Sequence, residues 1–252
     1  MLRVAALTVV LIARDARTLD AQSPRRTDDE SGIWTTYTGL HPVGDRWRLH
    51  LEAQLRQTES FRQPSQRLVR AGLLRVLTPA ARTGVGYSFV RTRPPEEFVT
   101  DPQSFAEHRV YEQLDLRLLT GPFAVDNRYR LEQRWLERLG TGAELGRRLG
   151  WTYTNRARYQ LRASSAWGGG PPRDGAPYAF ASNEVFVNFG RNVRNNVFDQ
   201  NRLSTGVGYR FGRALSVETG YLNQIVLRSN GTDVERNHLI VVGFTSEAAI
   251  RR

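Results

Sequence analysis

Residues Arg46 to Arg56 alternate without a fault. Trp47, Leu49, Leu51, Ala53 and Leu55 are apolar, and Arg46, Arg48, His50, Glu52, Gln54 and Arg56 are polar. At an apolar content of 40%, a window of this length does so by chance roughly once in two thousand tries. Side chains on a β-strand point to opposite faces in turn, so the run encodes a strand with one apolar and one charged face. The pattern recurs. Val125, Tyr129, Leu131 and Trp135 interleave with Asp126, Arg128, Arg130, Glu132 and Arg134. Ala157, Tyr159 and Leu161 interleave with Arg156, Arg158, Gln160 and Arg162, and Leu203, Val207, Tyr209 and Phe211 with Arg202, Ser204 and Arg210. Leu215, Val217 and Tyr221 do the same with Ser216, Glu218 and Gln224. No helical period of comparable quality follows residue 31.

Turn residues separate these runs. His41–Asp45, Thr78-Pro79, Thr120–Pro122 and Gly212-Arg213 are short connectors, and 92–104, 168–177 and 229–235 are longer loops. Glycine and proline supply the backbone angles that end strands. The punctuation leaves about eleven strand segments, several of 12–15 residues against a usual length of about 5–6. Long strands with a charged and an apolar, aromatic face predict an all-β fold, a single antiparallel transmembrane β-barrel. Aromatics gather near strand ends (Tyr87, Phe89, Trp135, Trp151, Tyr153, Tyr209, Phe211, Tyr221, Phe244), as amphipathic rings do at a membrane–water boundary. Single-chain bacterial barrels have even strand counts, so about twelve strands (10–12) are expected. The short connectors follow segments one, three, five and nine, which starts the chain outside the cell if short turns are periplasmic. The competing reading is a soluble, secreted sandwich or lipocalin-like binding barrel with the apolar face inward.

The N-terminus carries an address. Met1–Arg3 are basic, Val4–Ala13 mostly apolar, and Leu19-Asp20-Ala21 ends in a small residue. That is the order of a secretory signal peptide. The expected organisation is a signal peptide at 1–21, a flexible mature N-terminus at 22–31, the barrel domain at 32–247 and a C-terminal tail at 248–252. The expected location is the bacterial outer membrane, with its lipids, lipopolysaccharide and the barrel assembly machinery as partners. Arg91, Arg93, Arg173, Arg191 and Arg194 are candidates for lipid phosphates.

Charge tests the other classes. The net charge is +11, every one of the 36 basic residues is arginine, and there is no cysteine. Zero cysteines exclude a disulfide scaffold and a thiolate metal site. A nucleic-acid binder clusters its basic residues with stacking aromatics; here the arginines alternate along every strand, so no nucleic-acid partner is expected.

Several pieces together resemble a known family. They are Trp34, the run Glu107-His-Arg109-Val-Tyr111-Glu-Gln113, the run Arg128-Tyr-Arg130-Leu-Glu132-Gln-Arg134, and Glu184-Val-Phe-Val-Asn188. Gln200-Asn-Arg202, Gly206-Val-Gly208-Tyr209, Glu218-Thr-Gly-Tyr221 and His238 follow in order. The chain resembles the bacterial outer-membrane family catalogued as domain of unknown function 2490. The resemblance implies an outer-membrane β-barrel and carries no reaction or substrate.

With polar faces turned inward, the expected lumen network is Glu107, Arg109, Asp115, Arg117, Asp126, Arg128, Arg130, Glu132, Arg134, Arg156, Arg158, Glu184, Arg202 and Glu218. Arginines 46, 48, 56, 70, 82, 162 and 210 and Glu52 point the same way. Across the Thr120–Pro122 hairpin, one register sets Arg117 opposite Asp126 and Asp115 opposite Arg128. The register two residues away sets Arg109 opposite Glu132 and Glu107 opposite Arg134. The favoured function is a non-enzymatic structural or passively permeable barrel. The alternatives are an anion-preferring channel, since arginine rings favour anions, and a lipid-modifying enzyme. The four histidines stand in no metal-ligand spacing and no nucleophile elbow occurs, so no catalytic residue, metal or cofactor is expected. His238 is the one weak candidate, read otherwise as a hydrogen-bonding partner in the lumen.

Overall fold

The computed structural model describes residues 26–58, 63–94, 102–212 and 214–249. The expected signal peptide at 1–21 lies outside them. The strands are β1 (Arg26–Val43), β2 (Trp47–Thr58), β3 (Gln63–Thr78), β4 (Ala81–Thr92), β5 (Phe105–Thr120) and β6 (Phe123–Leu139). They continue as β7 (Arg148–Ala166), β8 (Pro177–Phe189), β9 (Phe198–Phe211), β10 (Leu215–Leu227) and β11 (Asp233–Ser246). Each pairs antiparallel with the next, and the sheet closes into a barrel where β1 meets β11. That last pairing is parallel, from Arg26↔Asp233 to Gly39↔Ser246.

Two expectations change. The barrel has eleven strands, not about twelve. An odd meander brings its first and last strands into the same direction, and a parallel ladder satisfies their backbone groups by evenly spaced, slanted hydrogen bonds. Residues 26–31, expected to belong to a flexible arm, are the first third of β1, because β11 offers them an edge to pair with.

β1 starts, and β11 ends, at opposite mouths of the barrel. The mouth where β1 begins also carries the connectors after β2, β4, β6, β8 and β10 and is called here the loop end. The other, the turn end, carries the longer β7–β8 connector and tight turns such as Gly121-Pro122, where Gly121 takes the positive φ of 54° that the first position of a type II′ hairpin needs.

The registers set the barrel's width. An inward row runs from Thr152 through Leu136, Glu107, Val90, Leu68, Gln54 and Thr36. It continues through Gly243, Glu218, Gly208 and Tyr178 and returns to β7 at Ala166. The stagger on going once round is therefore about 14 residues, which with ordinary strand spacings tilts the strands by about 40° and gives a backbone radius of about 11 Å. Such a barrel is wide enough to need filling, and its own side chains fill it.

The faces follow the alternation. On β2, His50, Glu52 and Arg56 are buried inside, and Trp47 and Leu55 stand outside. Across the described residues, 24 polar or charged residues are buried against 14 hydrophobic ones. Thirty-five large hydrophobics are exposed, so the polarity of an ordinary protein interior is reversed. Some of the inward apolar exceptions lie against glycines. A Cβ on Gly86 would stand 2.4 Å from the ring of Tyr111, and one on Gly208 2.5 Å from the ring of Tyr178. Glycine on the inner face thus lets a large ring lie against the wall.

Candidate functional site

The barrel interior concentrates the chain's charged chemistry. At its waist, Glu132 is 1% exposed and accepts from Arg156 at 2.5 Å and from Arg158 at 2.6 Å. Arg158 reaches on to Glu184 at 2.8 Å, and Glu184 also faces Arg128 at 3.1 Å and Arg202 at 3.7 Å. A second knot joins Glu52 to Arg70, Arg70 to Ser88 at 2.9 Å, and the imidazole of His50 to the Tyr111 hydroxyl at 3.2 Å. Arg130 donates through Nε to Gln113 at 2.9 Å and lies 4.6 Å over the ring of Tyr111. Arg156, Arg158 and Arg202 all lie over Phe186, at 5.1, 4.4 and 4.6 Å. Guanidiniums suit this packing: their flat forks pair with carboxylates on the edge and with aromatic rings on the face. Arg130, Tyr111, Phe186, Glu132 and Gln224 are each under 2% exposed, so the waist is packed.

Toward the turn end the network loosens. Arg117 chelates Asp126 at 2.6 and 3.1 Å, Arg162 meets Glu218 at 2.5 Å, and Arg82 stands 3.8 Å from Asp115. Toward the loop end Glu107 holds Arg109 at 2.7 Å and Arg134 at 2.5 Å, and Asp199 holds Arg156 at 2.8 Å. Above them opens a vestibule of about 160 Å³.

All fourteen residues expected in the lumen network point inward. The hairpin takes the register Arg117↔Asp126 and Asp115↔Arg128. Glu107 still reaches Arg134, diagonally, while Glu132 turns to β7 rather than to Arg109. Arg46, placed inward by the alternation, sits in the turn before β2 and is exposed. Asp199 was not legible. Parity on β9 puts it outside with Asn201 and Leu203, but a bulge opposite Phe186/Val187 adds a residue and turns it in. The loop arginines divide between mouths, with Arg91, Arg191 and Arg194 at the loop end and Arg173 at the turn end.

His238 also departs from its expected place. It is on the outer face, between inward Asn237 and Leu239, and binds the Tyr221 hydroxyl through Nδ1 at 2.6 Å. Its Nε2 is 3.7 Å from Asp29. Two other histidines also face outward against tyrosines: His108 with Tyr87 at 2.5 Å and His41 with Tyr37 at 3.1 Å. His41 donates its other nitrogen to the Ala248 carbonyl at 2.8 Å, which pins the C-terminal segment to β1. Among the described residues no cluster of His, Asp and Glu is arranged to hold a metal ion.

The family described as Protein of unknown function (DUF2490) matches residues 31–235. The chain belongs to this family. The match runs from β1 into β11 and so includes every residue of the waist. No curated protein and no solved structure matches the chain.

Proposed function

We propose that this member of the DUF2490 family is an outer-membrane β-barrel whose lumen is closed at mid-height by its own side chains, a non-enzymatic wall protein rather than an open pore. The observation that carries the reading is the reversed polarity. Water would leave the exposed outer hydrophobics unburied, and transferring each to an apolar phase is worth about 1.5–3 kcal/mol when complete. The outer face also carries two aromatic belts. One joins Phe89, His108, Trp135 and Tyr153, neighbours on four consecutive strands, with Trp151, Phe189 and Phe198 near it. The other has Trp47, Phe123, Tyr209 and Phe211 at the turn end. Phe123 and Trp135 on one tilted strand lie roughly 30 Å apart along the barrel axis, close to the height of an apolar band between its girdles. No helix among the described residues is long and apolar enough to cross a membrane, so the strands carry the reading.

Fractionation tests it. The full chain is expected in the outer-membrane fraction, migrating faster on a gel when unheated than after boiling. Recovery in the soluble fraction with no heat-modifiable band would replace the proposal by the soluble binding barrel. In planar bilayers the purified barrel is expected to give no steady conductance. Steady anion-preferring conductance would replace the closed lumen by the channel reading.

A further inference from the structure

The vestibule at the loop end has more guanidinium than its carboxylates can use. Seven of its lining residues are arginine and four are acidic. Three of the acids are already taken: Glu107 by Arg109 and Arg134, Asp199 by Arg156, and Glu235 by Arg228 at 2.8 Å. Arg56 and Arg202 are left at the inner wall, from β2 and β9. Both guanidiniums lie over the ring of Trp34, at 4.3 and 4.6 Å. Arg56 is 7% exposed, and its Nε and Nη2 have no hydrogen-bond partner. The Nε of Arg202 and the indole Nε1 of Trp34 are also buried and unpartnered.

Four orphaned N–H donors thus gather round one ring. Arg202 keeps one distant ion pair, to Glu184 at 3.7 Å; among the described residues no carboxylate is paired with Arg56, which Glu235 and Glu30 attract only from farther off. A buried guanidinium without an acceptor is costly, and the chain has not replaced it by an apolar residue. Planar forks of donors match the oxygens of phosphates and carboxylates. The cavity is many times the roughly 10–15 Å³ that a single water needs.

We propose that this corner of the vestibule is a binding site for a small, free oxyanion of the phosphate or carboxylate class, held by Arg56 and Arg202, which line the cavity and are backed by the ring of Trp34. The site is walled by the inner faces of β1, β2 and β9, so a lipid headgroup anchored in the outer band does not reach it. The packed waist makes it a dead end, open to the loop side alone. This deepens the closed-lumen reading, but the binding itself does not depend on where the protein resides.

The test uses the full chain folded in detergent and titrated calorimetrically with sodium phosphate, against sodium chloride at equal ionic strength. Wild type is expected to bind phosphate saturably and not chloride. Arg56→Gln should weaken phosphate binding on the order of tenfold or more, since charge-assisted hydrogen bonds are lost, and should unfold no earlier than wild type in phosphate-free buffer. Arg148→Gln, at an exposed rim position, should bind as wild type. No phosphate-specific heat in wild type would mean that water alone serves these donors and overturns the proposal. Undiminished binding by Arg56→Gln overturns it too. So does failure of that variant to fold, because Arg56 would then be a structural residue. Steady conductance in bilayers with phosphate binding intact would remove the closed lumen and leave the site.

Discussion

Single residues carry unequal weights in this interior. Glu132 is the acceptor for two buried guanidiniums, and removing one member of such a group leaves charge uncompensated, at about 3–5 kcal/mol. Glu132→Gln should therefore lower the unfolding free energy by about 3 kcal/mol in urea titrations of the barrel in lipid vesicles. Arg117→Gln breaks a pair exposed at the turn-end mouth and should cost under about 1 kcal/mol. Glu112 makes the opposite case. It faces outward between Val85 and Leu131, its neighbours on β4 and β6, near the middle of β5. A carboxylate facing lipid at that depth is unfavourable, so Glu112→Leu should stabilise the barrel in bilayers by about 1 kcal/mol. Equal stability of the two proteins in that titration would mean that Glu112 does not face acyl chains.

Elements are matched to one another through glycines and bulges. Tyr111 on β5 lies against Gly72 on β3 and Gly86 on β4, where added Cβ atoms would stand 2.5 and 2.4 Å from its phenol. Gly86→Val should cost about 1–3 kcal/mol by overpacking. Combining it with Tyr111→Ala should cost less than the two single losses summed, because the clash then has no partner. A double-mutant cycle in the same urea assay reads this directly. The glycines were visible in sequence as Gly84-Val-Gly86 and Gly206-Val-Gly208 within strand patterns; the rings they seat were not, because Tyr111 and Tyr178 come from neighbouring strands. Asp199 was hidden for a similar reason: a bulge is a relation between two strands and leaves the local alternation looking intact.

For the whole molecule the parallel closure puts the start of β1 and the end of β11 at opposite mouths. If short turns face the periplasm, the loop end faces out. The chain has no cysteine, so single cysteines report sidedness without background. Ser229→Cys at the loop end should react with an impermeant maleimide on intact cells, and Asp45→Cys at the turn end only after the cells are opened. The reverse pattern would invert the barrel and turn the Arg56 vestibule toward the periplasm.

The sequence by itself determined which side chains share a face. Period-two alternation is local, and the backbone geometry of a strand imposes it whatever the partner. It therefore specified the strands and put the arginines and carboxylates on one face and the apolar residues on the other, while which face lies inside was settled only by closure of the barrel. Strand count, stagger, the inward turn of Asp199 and the outward turn of His238 were decided by tertiary structure. Closure and register depend on pairings between strands distant in the chain, such as Arg26 with Asp233. The same holds for charge. Alternation supplied more arginines than carboxylates, but only the closed barrel chose which are neutralised, and it set Arg56 and Arg202 over the ring of Trp34 with buried donors that no acceptor among the described residues meets.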